Sequence, residues 1–599
     1  MSIPFREFQK DPPRLKVTLL CEDPLLAERS GLGPVEVDLE PERYLEQGPT
    51  TARVAVVDYD ARLDVVFAPV QVLERRPGFA VGNVGAVREN FLFHQQNVWA
   101  VVNRTIALLE NPRLLGRPIP WASGLGRLLL LPHANYGRNA FYDRGTGAIH
   151  FLYFEGSSAP VFTCLSHDIV THELGHAVLD GLKPYYNEIS SAQTAAFHEY
   201  FGDVMAIASS LTFRELVVRV AGDAPPELPE LIGRIGEEFA STDGRSSLRD
   251  ASVRRTMADV KGNREEHDLS QVLTNVFYEL LVALYPKKVE AALDNLKKTK
   301  VDGQVAVRAL INAAAQTTST MLRGLDYCPP VDVSYLEYAR AVLRADEVAY
   351  PTYEVGGRAI LRRLFVERGV APSESELDGP PRVRNRDLHP YDVDEISATT
   401  ANAYRFLDAN RGSLRIPRDV NFSVIRLYRT RKGSPSGYYP PQEIIIEFVW
   451  TEDVELKSEG LDFGELAGTR MPLYCGGTLV FDAWGNVLHY VLRDATPERT
   501  RELLEYVAYL VDRGRIGTTA QGAAIFAEVE NGRLRLQRNP ALRHESRRHA
   551  DDVPTQPEPA GEPGPIDWNF TTVDRIGEPK NLSSTDWRRL REKIRGAGA

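Results

Sequence analysis

Apolar residues recur every three to four positions along residues 90–110, 269–285, 305–316 and 335–346, the spacing of helices that bury one side. Elsewhere the apolar runs are short and bounded by Pro, Gly and polar clusters, at residues 15–21, 52–59 and 63–68 and again at 128–132 and 148–154, which reads as strands. The pattern therefore predicts a β-rich half ahead of residue 161 and a mostly helical half after residue 199. Residues 369–391 carry the Pro, Gly and charge signature of a linker, and a third pattern follows it. There a helix is expected over 396–409 and strands over 422–430, 443–450, 477–482 and 487–492, the last entered through the W-G-N turn at 484–486. A helix over 497–513 completes this part.

A chain of 599 residues is too long for one hydrophobic core. The expected division is a β-rich segment (1–80), a main domain (81–368), the linker (369–391), an α+β accessory domain (392–535), and a Pro/Glu/Gly-rich stretch with a terminal basic helix (536–599).

The main domain contains D-I-V-T-H-E-L-G-H-A-V, beginning at Asp168. His172 and His176 lie four residues apart, so at about 100° per residue they share a helix face and one metal ion. Glu173 points away from the ligand direction but within reach of a metal-bound water, which suits a general base. A catalytic zinc needs a third protein ligand, and Glu199 on the following helical stretch offers one. Asp203, one turn beyond Glu199, is placed to hold a ligand imidazole through its second nitrogen. H-E-x-x-H arises by chance in roughly one or two chains of this length in a hundred. Its apolar helical setting and the downstream Glu199 raise its weight.

These residues resemble the thermolysin-like zinc metallopeptidases of the gluzincin group, over roughly residues 85 to 350. Ser166 to Val178 is similar to that family's active-site helix and H-E-Y-F-G-D, from His198 to Asp203, to its glutamate-ligand helix. The resemblance implies an α+β fold of two lobes, β-rich then helical, with the active-site helix between them. It implies one zinc per chain on His172, His176 and Glu199, with Glu173 as base. N-A-F-Y implies that Asn139 and Ala140 lie on an edge strand that receives an extended substrate, and L-R-D that Arg249 meets a substrate carbonyl. H-D-L-S implies that His267 stands beside the transition-state oxyanion. The family's tyrosine near that oxyanion falls at Tyr185 or Tyr186, of which Tyr186 is taken here; the acidic partner of the histidine is out of register, with Asp259, Glu265 and Glu266 available. Asp168 matches a calcium-binding position, whereas Ser210 stands where its carboxylate partner belongs, so no paired calcium site is expected. D-Y-C-P-P-V-D, from Asp326 to Asp332, resembles a segment of bacterial gluzincins with no assigned role.

The expected activity is that of a zinc metalloendopeptidase, in which zinc acidifies a water, Glu173 takes its proton and the hydroxide attacks a peptide carbonyl. An aminopeptidase would need a G-x-M-E-N segment, which the chain lacks. The reading from a different class is a non-catalytic or latent scaffold of protease fold, working through residues 392–535.

A net charge of −11 provides no general positive field for nucleic acid. The expected partner is a peptide or protein substrate, with room for a protein partner on the accessory domain or the tail. Cys21, Cys164, Cys328 and Cys475 are too scattered for a C-x-x-C pattern and read as free, mostly buried thiols. The first thirty residues carry charges and prolines where a signal peptide needs an apolar run, and no apolar stretch is long enough to span a bilayer. A cytoplasmic location follows as the expectation, with signal-independent export as the second choice.

Overall fold

The computed structural model describes residues 15–539 except 41–44, 47, 71–83, 157–158, 223–229, 352–356, 434–439, 441 and 518–523. The expected terminal helix and almost all of the stretch 536–599 lie outside the described residues.

The fold is mixed α and β. A five-stranded sheet in the first half runs in the order Val54–Val56, Leu128–Tyr136, Ala148–Glu155, Ala140–Asp143, with Pro160–Phe162 also paired to Ala148–Glu155. Ala140–Asp143 is the last strand on that path and lies antiparallel to its neighbour, Ala140 opposite Phe151 and Asp143 opposite Ala148. The hairpin of Leu15–Leu19 and Val35–Leu39 packs on the helix Phe91–Glu110, whose N-cap Asn90 accepts from the Phe93 N–H. Val17, Leu19 and Val54 thus belong to the same large core as His167–Leu182 and the later helices, through Leu174, Val272 and Val342.

The helices after residue 161 agree with the apolar spacing and run longer than it. Glu266–Leu296 continues through Pro286, where the predicted face ends at 285. Proline deletes one backbone N–H bond, and Val289, Ala292, Leu293 and Leu296 still pack on the large core beyond it. Gly303–Arg323 starts on an Asp302 cap, and Tyr335–Ala349 starts on a capping box made by Ser334 and Glu337.

A second core runs from Leu388 to Leu534 and takes in Ile189 and Ala195 from the first half. Its seven-stranded sheet has the order Ser423–Thr430, Glu443–Glu455, Arg470–Asp482, Arg533–Arg538, Ile525–Glu530, Ile516–Gly517, with Val487–Arg493 paired to Arg470–Asp482. The W-G-N turn is present: Asp482 N–H donates to the Asn486 carbonyl, and Gly485 takes a φ of +86°. The helix expected over 396–409 is two, Val393–Ile396 and Thr400–Ala409, because the Thr399 hydroxyl caps the second by accepting from Asn402 N–H. The strands Ile525–Glu530 and Arg533–Arg538 were not legible in the hydrophobic pattern. They are short and charged on alternate positions, and only their pairing makes them strands.

Candidate metal centre

Two helices carry the centre. His167–Leu182 is buried along its whole length, as is Ala192–Ser210 apart from its first two residues and Ser210. Ser191 caps the second by accepting from Thr194 N–H. The helices touch at glycines: a Cβ on Gly175 would lie 2.9 Å from Gly202 Cα, and one on Gly202 would lie 2.6 Å from His172 Cε1 and Nδ1. A side chain at either position would push the ligand helices apart.

That approach brings His172, His176 and Glu199 together. Their ligand atoms all lie within 4.8 Å of one another, with His172 Nε2 at 3.4 Å and His176 Nε2 at 3.6 Å from the Glu199 carboxylate oxygens. Tetrahedral bonds of about 2.1 Å set ligand atoms about 3.4 Å apart, so this N₂O donor set has the dimensions and chemistry a zinc ion takes. Asp203 Oδ1 stands 3.2 Å from His172 Nδ1, on the ring nitrogen away from Glu199. Burial and the Arg249 charge press the His172 imidazolium down, but the hydrogen bonds it donates to the Asp203 and Glu199 carboxylates outweigh them and lift its pKa to about 9.

Glu173 is held on the edge strand, where Tyr142 N–H donates to its Oε2 at 3.1 Å. Asn139 and Ala140 lie at the start of that strand, and the Asn139 carbonyl accepts from Leu152 N–H within the sheet. His267, one residue inside its helix, points Nε2 to within 3.4 Å of Glu199, while Nδ1 meets Glu265 at 2.5 Å. Glu265 is the N-cap and also accepts from Asp268 N–H, so of the three acids available in the sequence it is the histidine's partner. Burial alone would raise the Glu265 carboxyl, but the hydrogen bond and charge of His267 hold it below its usual value. The signal was in the chain: an acidic cap two residues ahead of the histidine.

Arg249 is engaged by the acids of the centre, with Nε 2.7 Å from Asp203 and Nη1 3.3 Å from Glu199. In this structure the guanidinium positions Asp203 and Glu199.

One residue requires correction. Tyr186 is fully buried, packs edge-on against Phe197 and donates its hydroxyl to the Pro329 carbonyl at 2.9 Å. Its only proton is thus committed to the core, away from the ligands. Tyr185 is half-buried, and its ring lies 5.0 Å from that of Tyr474 in the second half of the chain.

A second group, His94, His133 and Cys164, also gathers within 4.8 Å. Its histidines form a chain: His133 Nδ1 to Asp58 at 2.7 Å, His133 Nε2 to His94 Nδ1 at 2.8 Å, and His94 Nε2 to the Val87 and Arg88 carbonyls. All four ring nitrogens have partners in this chain, in keeping with a packing role. The four cysteines are free and buried. Among the described residues no helix is long and apolar enough to cross a membrane.

A cavity of about 620 Å³ opens beside the centre. His176, Tyr142 and Asp180 line it together with Tyr474, Tyr506 and Leu534 of the second half. Sequence reasoning found no site residues after position 350, since nothing in a lone tyrosine marks it as part of a wall.

No protein-family model matches this chain, and no curated protein matches it.

Proposed function

We propose that this protein is a zinc-dependent metallopeptidase of thermolysin-like architecture, hydrolysing peptide bonds with Glu173 as general base. The observation that carries the reading is the joint placement of His172, His176 and Glu199 around one point with Glu173 tied to the adjoining edge strand. A bound zinc ion supplies a Lewis acid that polarises the scissile carbonyl and acidifies water. Glu173 then takes the water proton and passes it to the departing amine. The Tyr142 N–H holds one carboxylate oxygen of Glu173, which fixes the carboxylate against the edge strand. His267, its ring fixed by Glu265, turns Nε2 toward the ligands, where it can donate to the oxygen on which charge develops. Arg249 and Asp203 keep His172 and Glu199 oriented as ligands.

The test is hydrolysis of a mixed peptide library by the full chain and by Glu173→Gln, with zinc quantified in both. Loss of cleavage in the variant with about one zinc per chain retained supports the proposal. Equal cleavage by both proteins refutes it.

A further inference from the structure

The C-terminal half of the chain is joined to the metallopeptidase half through buried charge. Asp326 lies 2.6 Å from Arg117 and 2.7 Å from Lys432; Lys432 also reaches Glu443 at 2.9 Å. Asp332 meets Arg493 at 2.6 Å and Arg499 at 2.8 Å, and Lys183, just past the metal helix, pairs with Glu447. All of these acids and lysines are buried. Arg426 donates to the Leu182 and Gly181 carbonyls at the end of the same helix. D-Y-C-P-P-V-D is thus a clamp: its two aspartates and the Cys328 carbonyl, which accepts from Thr478 and Lys183, hold the second half in place. Charges removed from water and paired in this way are costly to separate, so the two halves form a fixed unit.

The clamp holds the second half against elements that carry the site. Arg515 pairs with Glu266, beside His267, at 3.0 Å; Arg264 pairs with Glu505 at 2.6 Å; Arg538 donates to the Asn187 carbonyl at 3.0 Å. The edge strand runs from Ala140 past Tyr142, where Glu173 is bound, to Asp143, and its turn residues Arg144 and Gly145 line the same cavity as Tyr474 and Arg535. A peptide laid along this strand advances about 3.3 Å per residue. Going from Glu173 toward Gly145, it approaches the cavity that the second half also lines.

We infer that the C-terminal half is the end wall of the peptide groove, so that the enzyme trims short pieces from one end of its substrate. The ligand class is a peptide terminus, and a cavity of about 620 Å³ is the size that takes a small ligand. Tyr474 and Arg535 are the specificity residues: the first is half-buried beside Tyr185, and the second is exposed on the rim. This inference rests on the peptidase reading and narrows the endopeptidase expectation.

The experiment digests a library of peptides of graded length with the full-length zinc protein and locates each cut relative to both ends. Cuts should cluster within a few residues of one terminus. Tyr474→Ala and Arg535→Ala should each reduce the preference for end-proximal over internal cuts about tenfold, read as a ratio of kcat/KM values. Arg535 is exposed, so its variant tests the wall without disturbing the core. Cuts scattered through long peptides, or the same preference in both variants, overturn the wall while leaving the peptidase proposal intact provided that cleavage still requires Glu173. Cleavage that persists in Glu173→Gln instead removes the peptidase proposal and the wall with it.

Discussion

Gly175 and Gly202 touch across the two ligand helices, close enough that a Cβ on the first would sit 2.9 Å from the Cα of the second. Gly175 falls inside H-E-L-G-H and Gly202 inside H-E-Y-F-G-D, so the motifs carry both the ligands and the small residues that let the ligands meet.

Gly202→Ala places a methyl group 2.6 Å from the His172 ring. Because the helix is packed on both sides, the ring must move. The variant should fold with a loss of about 1–3 kcal/mol and bind zinc about 10–100-fold more weakly, as loss of ligand orientation does elsewhere. Competition with a fluorescent zinc chelator measures the affinity, and unchanged affinity would contradict the packing argument.

Asp203→Asn removes the charge facing His172 Nδ1 and pairing with Arg249. Zinc affinity should fall about 10–100-fold. Activity should return toward the parent value when zinc is raised to saturation, which separates a positioning role from a chemical one.

His267→Ala should retain zinc and lower kcat about 10²–10³-fold, the cost of one oxyanion donor. Glu265→Gln should produce a smaller loss of the same kind, since it leaves the imidazole in place but weakens its anchor. A drop in zinc content in either variant would reassign the pair to the metal.

Tyr186→Phe discriminates the corrected residue. The hydroxyl donates to Pro329 in the core, so the variant should lose about 1 kcal/mol of stability by urea unfolding and keep its kcat. A kcat reduced a hundredfold or more would place Tyr186 in the chemistry after all.

Asp326 and Asp332 make stability depend on acid. Burial by itself would raise both carboxyls, but Arg117 and Lys432 beside Asp326, and Arg493 and Arg499 beside Asp332, hold them below their usual range. A folded-state pKa below the unfolded value of about 3.9 means that the stabilisation is complete above that pH and is lost as pH falls beneath it. The thermal transition should therefore fall steeply below about pH 4. Asp326→Asn removes the buried carboxylate charge from beside Arg117 and Lys432, leaving Lys432 with Glu443 alone, and should cost about 3–5 kcal/mol at neutral pH.

What the sequence by itself determined is local: helical or strand periodicity, caps, the spacing of His172 and His176, and the choice of Glu199 and Asp203. Periodicity, caps and the His172–His176 spacing depend on residues within a few turns of each other, and Glu199 and Asp203 follow on the next helical stretch, so a one-dimensional pattern records them. Even the partner of His267 was within two residues, although three acids competed and only the N-cap geometry of Glu265 chose among them. Tyr185 and Tyr186 could not be separated because adjacent residues in a short turn differ only in which way they face, and the core around Pro329 made that choice. The tertiary structure alone decided that Asp326 and Asp332 clamp the second half, and that Tyr474 and Arg535 line one cavity with His176. Those relationships join residues more than one hundred positions apart through buried charge and packing, which depend on distance in space and leave no periodic trace along the chain.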